Sequence, residues 1–529
     1  MDTKALRQKI LDLAIRGKLV PQDPNDEPAS VLLERIREQK KQMVKEGKLK
    51  AKDIKNDTII FVGEDNLHYE KFQDGTVKCI EDEIPFEVPE GWEWARVSSI
   101  VQICLGLTHT PGYVNKGVPF YSVKDISSGG LDTSNPKYIS EEEFDNFPSG
   151  AKPQKGDILF GRVGTLGKPT VVEIEESFGI FVSLGFFRKI YEHFSSEYIM
   201  NWMDSSLFWN QVSVNVKGAV LTNLNTGWLS RFLIPIPPLN EQYMISDYSN
   251  KLLNRVNSIS STKEDLGRLL SDARSKILDL AIRGKLVPQD PSDEPASVLL
   301  ERIRAEKEEL IKQGKIKRDK KESVIFRGDD NSYYEIINGN TVCIDDELPF
   351  ELPEGWVWTR LQNISLILTD GTHKTPQYCD DGYVFLSSKN VTSGKIDWEN
   401  IMYIPEALHE ELYKRLAPVQ GDILLAKNGT TGVAAIVDRD IIFDIYVSLA
   451  LIRIASELVD SQYILNVIGS SYVQEYFHKS LKGIGVPNLH LEHIRKTLIP
   501  IPPYAEQQRI IRKSKKGLDA LNEIAGILT

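Results

Sequence analysis

The sequence KILDLAIRGKLVPQDPNDEPASVLLERIR at residues 9–37 occurs twice in the chain, and this duplication is the main guide to its architecture. Residues 276–304 repeat it with one change in 29 positions, Ser292 standing where the first copy has Asn25. Three further motifs recur at an offset of about 265 residues. They are FEVPEGWEW at 86–94 with FELPEGWVW at 350–358, KGDILFGRVGTLG at 155–167 with QGDILLAKNGTTG at 420–432, and LIPIPPLNEQ at 233–242 with LIPIPPYAEQ at 498–507. Two copies of so long a unit are too few for a solenoid, so the duplication predicts two similar domains related by a pseudo-twofold axis.

A long helix is predicted after each LIPIPP motif. Between residues 241 and 283, apolar or small residues recur every seven positions, the spacing of a coiled-coil seam. They are Ile245, Leu252, Ile259, Leu266, Ala273 and Leu280. Gly284 is placed to end this helix. The second copy begins at Glu506, and residues 3–16 match its remaining part, so we expect one split helix that lies antiparallel to the continuous one.

Each copy is also predicted to contain a shorter helix, a pair of strands and a globular part. The shorter helices occupy residues 28–46 and 295–313, follow Asp-Glu-Pro and stop at glycine. The sequences TIIFVG and SVIFRG are typical of strands and lead to the PEGW motifs. Between PEGW and LIPIPP, GDILFG, KPTVVEI and FVSLGFFRKI are typical of strands, while SSEYIMNWMDSSLFWNQV is typical of a helix.

The predicted fold class is therefore α+β, with two similar α/β globular domains separated by a pair of long antiparallel helices in a circularly arranged internal repeat. The predicted segments are an N-terminal helical region (1–50), connecting strands (51–91), a first globular domain (92–238), a central helical spacer (239–315), further connecting strands (316–355), a second globular domain (356–503) and a C-terminal helix (504–529).

Composition and charge argue against several classes of protein. The 529 residues are 41% hydrophobic and 26% charged, which suits packed domains rather than bulk disorder. Neither a run of ~20 apolar residues nor the apolar core of a signal peptide is present. The four cysteines stand singly, which argues against zinc or disulfides and favours a reducing, cytoplasmic location. The net charge of −11 repels phosphate, so a nucleic-acid binder of this composition needs local basic loops or basic partners.

Motifs of catalytic chemistry are missing from the sequence. No N-P-P-Y-like tetrapeptide of an amino-methyltransferase occurs, since the PIPP sequences lack Asn or Asp. GRVGTLGKP at 161–169 has the wrong glycine spacing for a phosphate loop, so a strand–turn–strand is predicted there. His490 and His493 have no nearby cysteine or second pair, which favours a polar surface over a metal site. We therefore predict no catalytic residue, metal or cofactor for this chain.

The two copies differ in how far they have diverged. The helical parts are nearly identical, which suits two copies of one partner, whereas the globular parts differ, which suits two different ligands. Recent recombination without functional meaning is the alternative. The motifs PEGWxW, LIPIPPLxEQ with LIPIPPxxEQ, and LAIRGKLVPQDP resemble, twice and in order, those of the specificity subunits of type I restriction–modification enzymes. This resemblance extends over essentially the full length.

The resemblance implies a non-catalytic DNA-binding subunit. Two target-recognition domains, the globular domains above, would each read one half of a bipartite site in double-stranded DNA. The helices would bind two methyltransferase subunits, which in turn recruit the restriction subunits. The cofactors of the holoenzyme, S-adenosylmethionine, ATP and Mg, would belong to those other subunits. The family often carries a longer C-terminal conserved region, which residues 3–16 are expected to replace.

Three loops in each globular domain are candidates for DNA contact. The first loop, 107–117 and 371–382, places polar side chains near a Pro turn, where the family has a Thr-Pro loop. The glycine turn, 161–168 and 427–433, keeps one basic residue, and arginine can pair bidentately with guanine. The third loop, 216–225 and 481–490, keeps a lysine that suits a phosphate contact, while its last residue differs, which suits base readout. Helix capping is the alternative role for its asparagines.

The residues predicted to bind DNA are Thr108, His109, Thr110, Tyr113, Lys116, Lys124, Arg162, Lys168, Lys217, Asn223, Asn225, Thr372, His373, Lys374, Tyr378, Lys389, Lys427, Asn428, Lys482, Asn488 and His490. Trp202, Trp209 and Tyr463 are predicted to lie in the core instead. Two other functions stay open. A two-armed protein-binding adaptor is favoured by the acidic charge, and a fused methyltransferase–recognition enzyme is opposed by the missing cofactor motifs.

Overall fold

The computed structural model describes residues 2–55, 57–126, 130–216, 223–318, 322–455, 458–481 and 488–528. The chain divides into two compact units, Met1–Thr262 and Lys263–Thr529, and each contains one copy of the repeat. The α-helices are α1 Thr3–Ile15, α2 Ala29–Lys45, α3 Ala51–Ile54, α4 Val97–Ile100, α5 Glu141–Asp145, α6 Ser196–Asp204, α7 Ser206–Val216, α8 Thr226–Leu229, α9 Leu239–Ile282, α10 Ala296–Lys312, α11 Leu361–Ile364, α12 Glu406–Arg415, α13 Ser461–Ile468, α14 Ser471–Lys479, α15 Leu491–Lys496 and α16 Tyr504–Leu528.

The strands fall into the same kinds of sheet in both units. Those of the first unit are β1 Ile59–Val62, β2 His68–Lys71, β3 Val77–Cys79, β4 Glu93–Arg96, β5 Val101–Leu105, β6 Tyr113–Val114, β7 Val118–Tyr121, β8 Lys137–Ile139, β9 Ile158–Gly161, β10 Gly167–Val171, β11 Gly179–Ile180, β12 Leu184–Lys189 and β13 Leu233–Ile236. Those of the second unit are β14 Ser323–Arg327, β15 Tyr333–Ile337, β16 Asn340–Cys343, β17 Val357–Arg360, β18 Ser365–Asp370, β19 Tyr383–Leu386, β20 Met402–Ile404, β21 Ile423–Ala426, β22 Ala434–Ile436, β23 Phe443–Ile445, β24 Leu449–Ile454 and β25 Leu498–Ile501.

The sheet topology repeats from one unit to the other. In the first unit the antiparallel sheet β10-β9-β12-β5 forms the centre, and the second unit builds β22-β21-β24-β18 in the same order. A smaller sheet accompanies each, β11-β7-β8-β6 and β20-β19-β23, and three-stranded meanders β1-β2-β3 and β14-β15-β16 precede them. The tandem repeat in the sequence is therefore also a repeat of structure.

The PEGW and LIPIPP motifs recur because they close each globular domain. Strand β4 pairs antiparallel with β13, which places Trp94 opposite Pro235. Strand β17 pairs with β25 in the same way, with Trp358 opposite Pro500. The first and last strands of each domain thus lie side by side, and both tryptophans are almost fully buried.

Three repeated motifs meet at a buried glutamate at the start of each long helix. Trp92 Nε1 donates to Glu241 Oε2 (2.8 Å), and Gln22 Nε2 donates to Glu241 Oε1 (3.1 Å). In the second unit Trp356 and Gln289 donate to Glu506 at 3.0 and 3.1 Å. The near-identity of the motifs follows from this shared network, which joins the helical region to the globular domain.

Helix α9 has the predicted extent, 44 residues ending two residues before Gly284, whose φ is +62°. In the first unit, Ile10 and Leu11 of α1 pack with Leu253 and Val256, while Gln22 reaches the helix start. The N-terminal segment is therefore antiparallel to α9.

The second unit repeats this antiparallel pairing. A Cβ at Gly517 of α16 would lie 2.9 Å from the side chain of Ile277, near the end of α9, while Gln289 reaches Glu506. Within each unit, the corresponding half of α9 thus has an antiparallel partner.

Two helix predictions need correction. The stretch predicted as one helix forms α6 and α7, because the chain is extended at the buried Ser205, whose hydroxyl donates to Trp202 O (2.6 Å). The strict seven-residue seam also fails in part. Ile259 is 40% exposed, whereas Leu253 and Val256 are buried, so the packed face of α9 shifts away from the predicted series.

The glycine turn of the first unit is the predicted strand–turn–strand. Strands β9 and β10 are antiparallel neighbours, and Gly164 has a φ of +84°. A Cβ at Gly161 would lie 1.8 Å from Thr165 O, so only glycine fits this close approach. The segment after the turn is a strand, not the helix that a phosphate loop requires.

Candidate nucleic-acid interface

The three predicted loops of each globular domain meet around a fourth segment. This central segment comprises residues 181–183 in the first unit, between β11 and β12, and residues 446–448 in the second, between β23 and β24. Main-chain hydrogen bonds join it to the first loop and to the glycine turn, and the glycine turn to the third loop. Because these bonds do not depend on side chains, they hold the loops in place while the loop sequences vary.

In the first unit, three main-chain hydrogen bonds connect the loops. Val182 N in the central segment donates to Leu107 O of the first loop (2.9 Å). Arg162 N of the glycine turn donates to Ser183 O (2.8 Å), and Leu224 N of the third loop donates to Arg162 O (2.9 Å). Arg162 is the hub residue of this unit, because its main chain contacts two other segments.

The second unit reproduces each contact. Val447 N donates to Thr372 O (3.0 Å), Lys427 N donates to Ser448 O (2.8 Å), and Leu489 N donates to Lys427 O (2.8 Å). Lys427 is therefore the hub residue here. The structure thus brings together, in both units, the loops that the sequence proposes for DNA contact.

The hub side chain of the first unit is largely engaged with the protein. Arg162 is half-buried, and its Nε donates to Leu224 O (3.0 Å) and its Nη1 to Val182 O (3.2 Å). Burial lowers the pKa of Arg162. Donors that could pair with guanine are here directed to main-chain carbonyls.

The hub side chain of the second unit takes a different arrangement. Lys427 is 4% exposed, and its Nζ donates to Asp370 Oδ2 at 2.5 Å. The other carboxylate oxygen, Asp370 Oδ1, lies 3.3 Å from His373 Nε2 on the first loop. An ion pair so deeply buried is closed to a phosphate oxygen.

The first loops present most of their candidates to solvent. The exposed ones are Thr108, His109, Thr110, Tyr113, Lys116, His373, Lys374 and Tyr378, and Thr372 is half-buried. Tyr113 and Tyr378 occupy equivalent positions, and each ring meets a phenylalanine of the neighbouring sheet, Phe120 or Phe385, edge-on. These tyrosines are exposed yet held in one orientation.

Apart from the buried Lys427, the candidate lysines are either exposed or outside the described residues. Lys124 and Lys389 are exposed and lie next to residues whose N–H groups donate to Ser183 Oγ and Ser448 Oγ of the central segments. Lys168 is also exposed and has a φ of +50°. Lys217 and Lys482 lie outside the described residues.

The candidates at the end of the third loops have unlike surroundings. Asn225 caps α8, its side chain accepting from Gly227 N at 2.8 Å, which is the capping alternative. Asn223 is exposed, and its main chain bridges to Val163 in the glycine turn. In the second unit Asn488 is half-buried, and His490 is exposed at the start of α15.

A cleft of about 750 Å³ opens between the loops of the second unit. His373, Lys427, Asn488 and His490, all of them candidates from the sequence, line it together with Asp370. Asn428 lies beside it in the glycine turn and accepts from Ser388 Oγ (3.1 Å). This polar cleft, which Glu492 and His493 also line, contains the most concentrated group of predicted contacts in the unit.

Sequence reasoning missed the central segments and Asp370. The signal for the first was present, since FVSLG at 181–185 and YVSLA at 446–450 recur at the common offset. Asp370 has no such signal, because the matching residue of the first unit is Leu105. Of the residues predicted to be core, Trp202 and Tyr463 are fully buried and Trp209 is half-buried.

Exposed apolar side chains also occur on the long helices of each unit. Tyr243, Met244 and Tyr248 near the start of α9 are 41–47% exposed, and Leu269 further along is 62% exposed. Ile527 of α16 is 84% exposed. Apolar side chains at this exposure are available for a protein partner.

Other classes of site find no support in the described ranges. There, no group of three or more His, Cys, Asp or Glu side chains is arranged to hold a metal ion. None of the helices in those ranges, α9 included, has an apolar stretch of membrane-spanning length.

Comparison with known proteins identifies relatives of the whole chain. The type I restriction modification DNA specificity domain matches residues 353–524. The EcoAI specificity subunit of Escherichia coli is 27% identical over 99% of this chain and 90% of its own length. The EcoEI specificity subunit, also from Escherichia coli, is 28% identical over 96% and 88%. The MjaVIII specificity subunit of Methanocaldococcus jannaschii is 22% identical over 83% and 88%.

A solved structure shares the fold. It is a chain from a structural study of complex assembly and conformational transition in the type I restriction–modification system, with a TM-score of 0.52 and 16% identity over 84% of this chain and 94% of that one. Sequence similarity over the whole length, the domain match in the second unit and the common fold agree. This chain is therefore similar over its whole length to type I restriction–modification specificity subunits, and its residues 353–524 match their DNA specificity domain.

Proposed function

We propose that this chain is the DNA-reading subunit of a type I restriction–modification complex and that each unit recognises one half of a bipartite target. Members of this family are the non-catalytic component of their enzymes. The observation that carries the proposal is the pair of loop clusters, built on identical main-chain contacts but lined by different side chains. A constant frame with variable loops is what two readers of different sequences require.

The helical regions are proposed to dock two methyltransferase subunits. Residues 9–37 and 276–304 differ at one position, so the two units offer nearly the same surface to a partner. Exposed apolar side chains on α9 and α16 supply contact area for it. Restriction subunits would then join through the methyltransferase subunits.

Catalysis is proposed to lie wholly in those partners. S-adenosylmethionine would serve the methyltransferase subunits, while ATP and Mg would serve the restriction subunits. This chain would direct adenine methylation or restriction by placing the partners at the target. Its net charge of −11 makes binding by the isolated chain weak, because the overall field repels phosphate.

The test is a DNA-binding measurement on the chain alone and on its complex with the methyltransferase subunit. Methylated-adenine sequencing of a host that carries the system first supplies the target. We expect the complex to prefer that duplex over one with either half scrambled, each scrambled half weakening binding. Equal affinity for target and scrambled duplexes would contradict the proposal and favour the two-armed protein adaptor.

A further inference from the structure

The side chains of the two hub residues, Arg162 and Lys427, form hydrogen bonds with different partners. In the first unit the Arg162 guanidinium is satisfied by the carbonyls of Leu224 and Val182. In the second unit the Lys427 ammonium pairs with the Asp370 carboxylate instead. The residue that matches Asp370 in the first unit is Leu105, which carries no charge.

The Lys427–Asp370 ion pair links the glycine turn directly to the start of the first loop. Main-chain hydrogen bonds join these two loops only through the central segment. Lys427 belongs to the glycine turn, and its carbonyl accepts from Leu489 N of the third loop. Asp370 ends strand β18 immediately before the first loop, and its free oxygen faces His373 on that loop. One carboxylate thus connects the glycine turn with the exposed imidazole.

The pair must persist for the unit to stay packed. Both side chains are less than 10% exposed, and a buried charge that loses its partner is strongly destabilising. The main chain of Asp370 is also fixed, because Arg415 Nη2 donates to its carbonyl (2.8 Å). The carboxylate is therefore a rigid anchor against which His373 is oriented.

The first loop of the first unit is held by a different contact. There Gly112 N donates to both carboxylate oxygens of Glu143, at 3.2 Å each. Gly112 lies in the middle of the first loop, residues 107–117. The two first loops are thus fixed at different points.

We propose that Asp370 is a positioning residue for sequence reading by the second unit: through Lys427 and His373 it orders the first loop at the cleft, so that His373 contacts a base of that unit's half-site. This inference rests on the proposed function. It assigns Lys427 to holding the loops rather than to contacting phosphate.

The test uses the complex with the methyltransferase subunit and duplexes with single base-pair changes in either half-site. Asp370→Asn should reduce discrimination at one or two positions of the second unit's half-site by roughly tenfold, the usual value of a base contact. Discrimination in the other half should not change. His373→Ala should affect the same positions, and Leu105→Asn, at the matching site of the first unit, is the control.

A double variant separates positioning from simple loss of packing. Asp370→Leu with Lys427→Arg copies the first unit and gives the guanidinium the carbonyls of Leu489 and Val447. We expect it to restore the thermal unfolding midpoint lost in Asp370→Asn but not the discrimination, since nothing then orients His373. Recovery of both would overturn the positioning role, as would an Asp370→Asn variant with unchanged discrimination. Failure of the wild-type complex to prefer its target would instead refute the proposed function.

Discussion

At the scale of single residues, the repeated motifs are explained by a few buried polar groups. Glu241 and Glu506 each accept from a tryptophan and a glutamine that come from two other motifs. Substitution of any one partner leaves a buried donor or acceptor unsatisfied, which costs ~1–3 kcal/mol. Sequences that preserve the helical frame therefore have to preserve all three motifs together.

Glu241 predicts a pH dependence of stability. Burial raises the pKa of Glu241 above its ordinary value of 4.5, with smaller opposing effects from Gln22 and Trp92. The folded chain then holds this proton more tightly than the unfolded chain, so the stability that the carboxyl contributes is lost as pH rises from about 4.5 through the raised pKa. Glu241→Gln cannot titrate, and its free energy of unfolding relative to wild type should increase over that window. Urea unfolding at several pH values measures this.

The matched control for this experiment is Glu506→Gln, since burial likewise raises the pKa of Glu506. We expect the same trend with pH in that variant. A difference in the free energy of unfolding between variant and wild type that stays constant from pH 4 to 7 would contradict this prediction.

Arg96 predicts a large loss of stability on substitution. Its guanidinium donates to both oxygens of Glu70 (3.0 and 2.7 Å), which joins the meander to the closing strand pair. Arg96→Met leaves the Glu70 carboxylate buried without its partner, which should cost ~3–5 kcal/mol. Arg35→Met is the control, because the Arg35–Glu27 pair is half exposed and should be worth ~0–1 kcal/mol. Urea unfolding that ranked the two variants equally would refute this reasoning.

At the scale of helices and strands, local sequence patterns predicted most of the helix bounds. The bounds of α2, α9 and α10 follow from proline and glycine signals at their ends. The break between α6 and α7 was not predicted, because it depends on burial of Ser205, whose hydroxyl donates to the main-chain oxygen of Trp202. The packed face of α9 shifted because Leu253 and Val256 face α1, a contact between distant segments.

In the candidate site, too, the sequence indicated the individual loops but not the contacts between distant parts of the chain. The first loop, the glycine turn and the third loop were found because they diverge within a conserved frame. The hydrogen bonds that bring these segments together join residues that are 21 to 75 positions apart, the longest being Val182 with Leu107. Asp370 was missed because its role exists only once Lys427 is buried beside it.

Helix α9 predicts the spacing of the DNA target. Its 44 residues correspond to about 66 Å of axis at ~1.5 Å per residue. We propose that this helix sets the separation of the recognition domains. Inserting seven residues near Lys263 adds ~10 Å, about three base pairs at ~3.4 Å each. Because the antiparallel partners resist full extension, we expect the unspecified spacer to grow by one to three base pairs in methylated-adenine sequencing.

A four-residue insertion at the same place is the control. It rotates the following residues by about 40°, which should damage assembly with the methyltransferase subunit more than it changes the spacer. An active seven-residue variant with an unchanged spacer would show that the helix does not measure the site.

At the scale of the whole molecule, one structural unit occurs twice, and its parts differ in how similar the two copies are in sequence. The helical motifs and the closing strands are almost the same in both units, while the loop side chains differ at most candidate positions. A single duplicated frame can thus present one docking surface twice and two separate reading surfaces. The central claim is that the two reading surfaces act independently.

Exchange of residues 92–238 for the matching domain of another family member, followed by methylated-adenine sequencing, tests this claim most directly. The exchanged segment contains both closing strands, β4 and β13, and leaves the buried Glu241 in the retained helix. We expect one half of the methylated sequence to change to the donor's half-site, while the other half and the spacer stay as in the parent. A variant that methylates a target altered in both halves would contradict it.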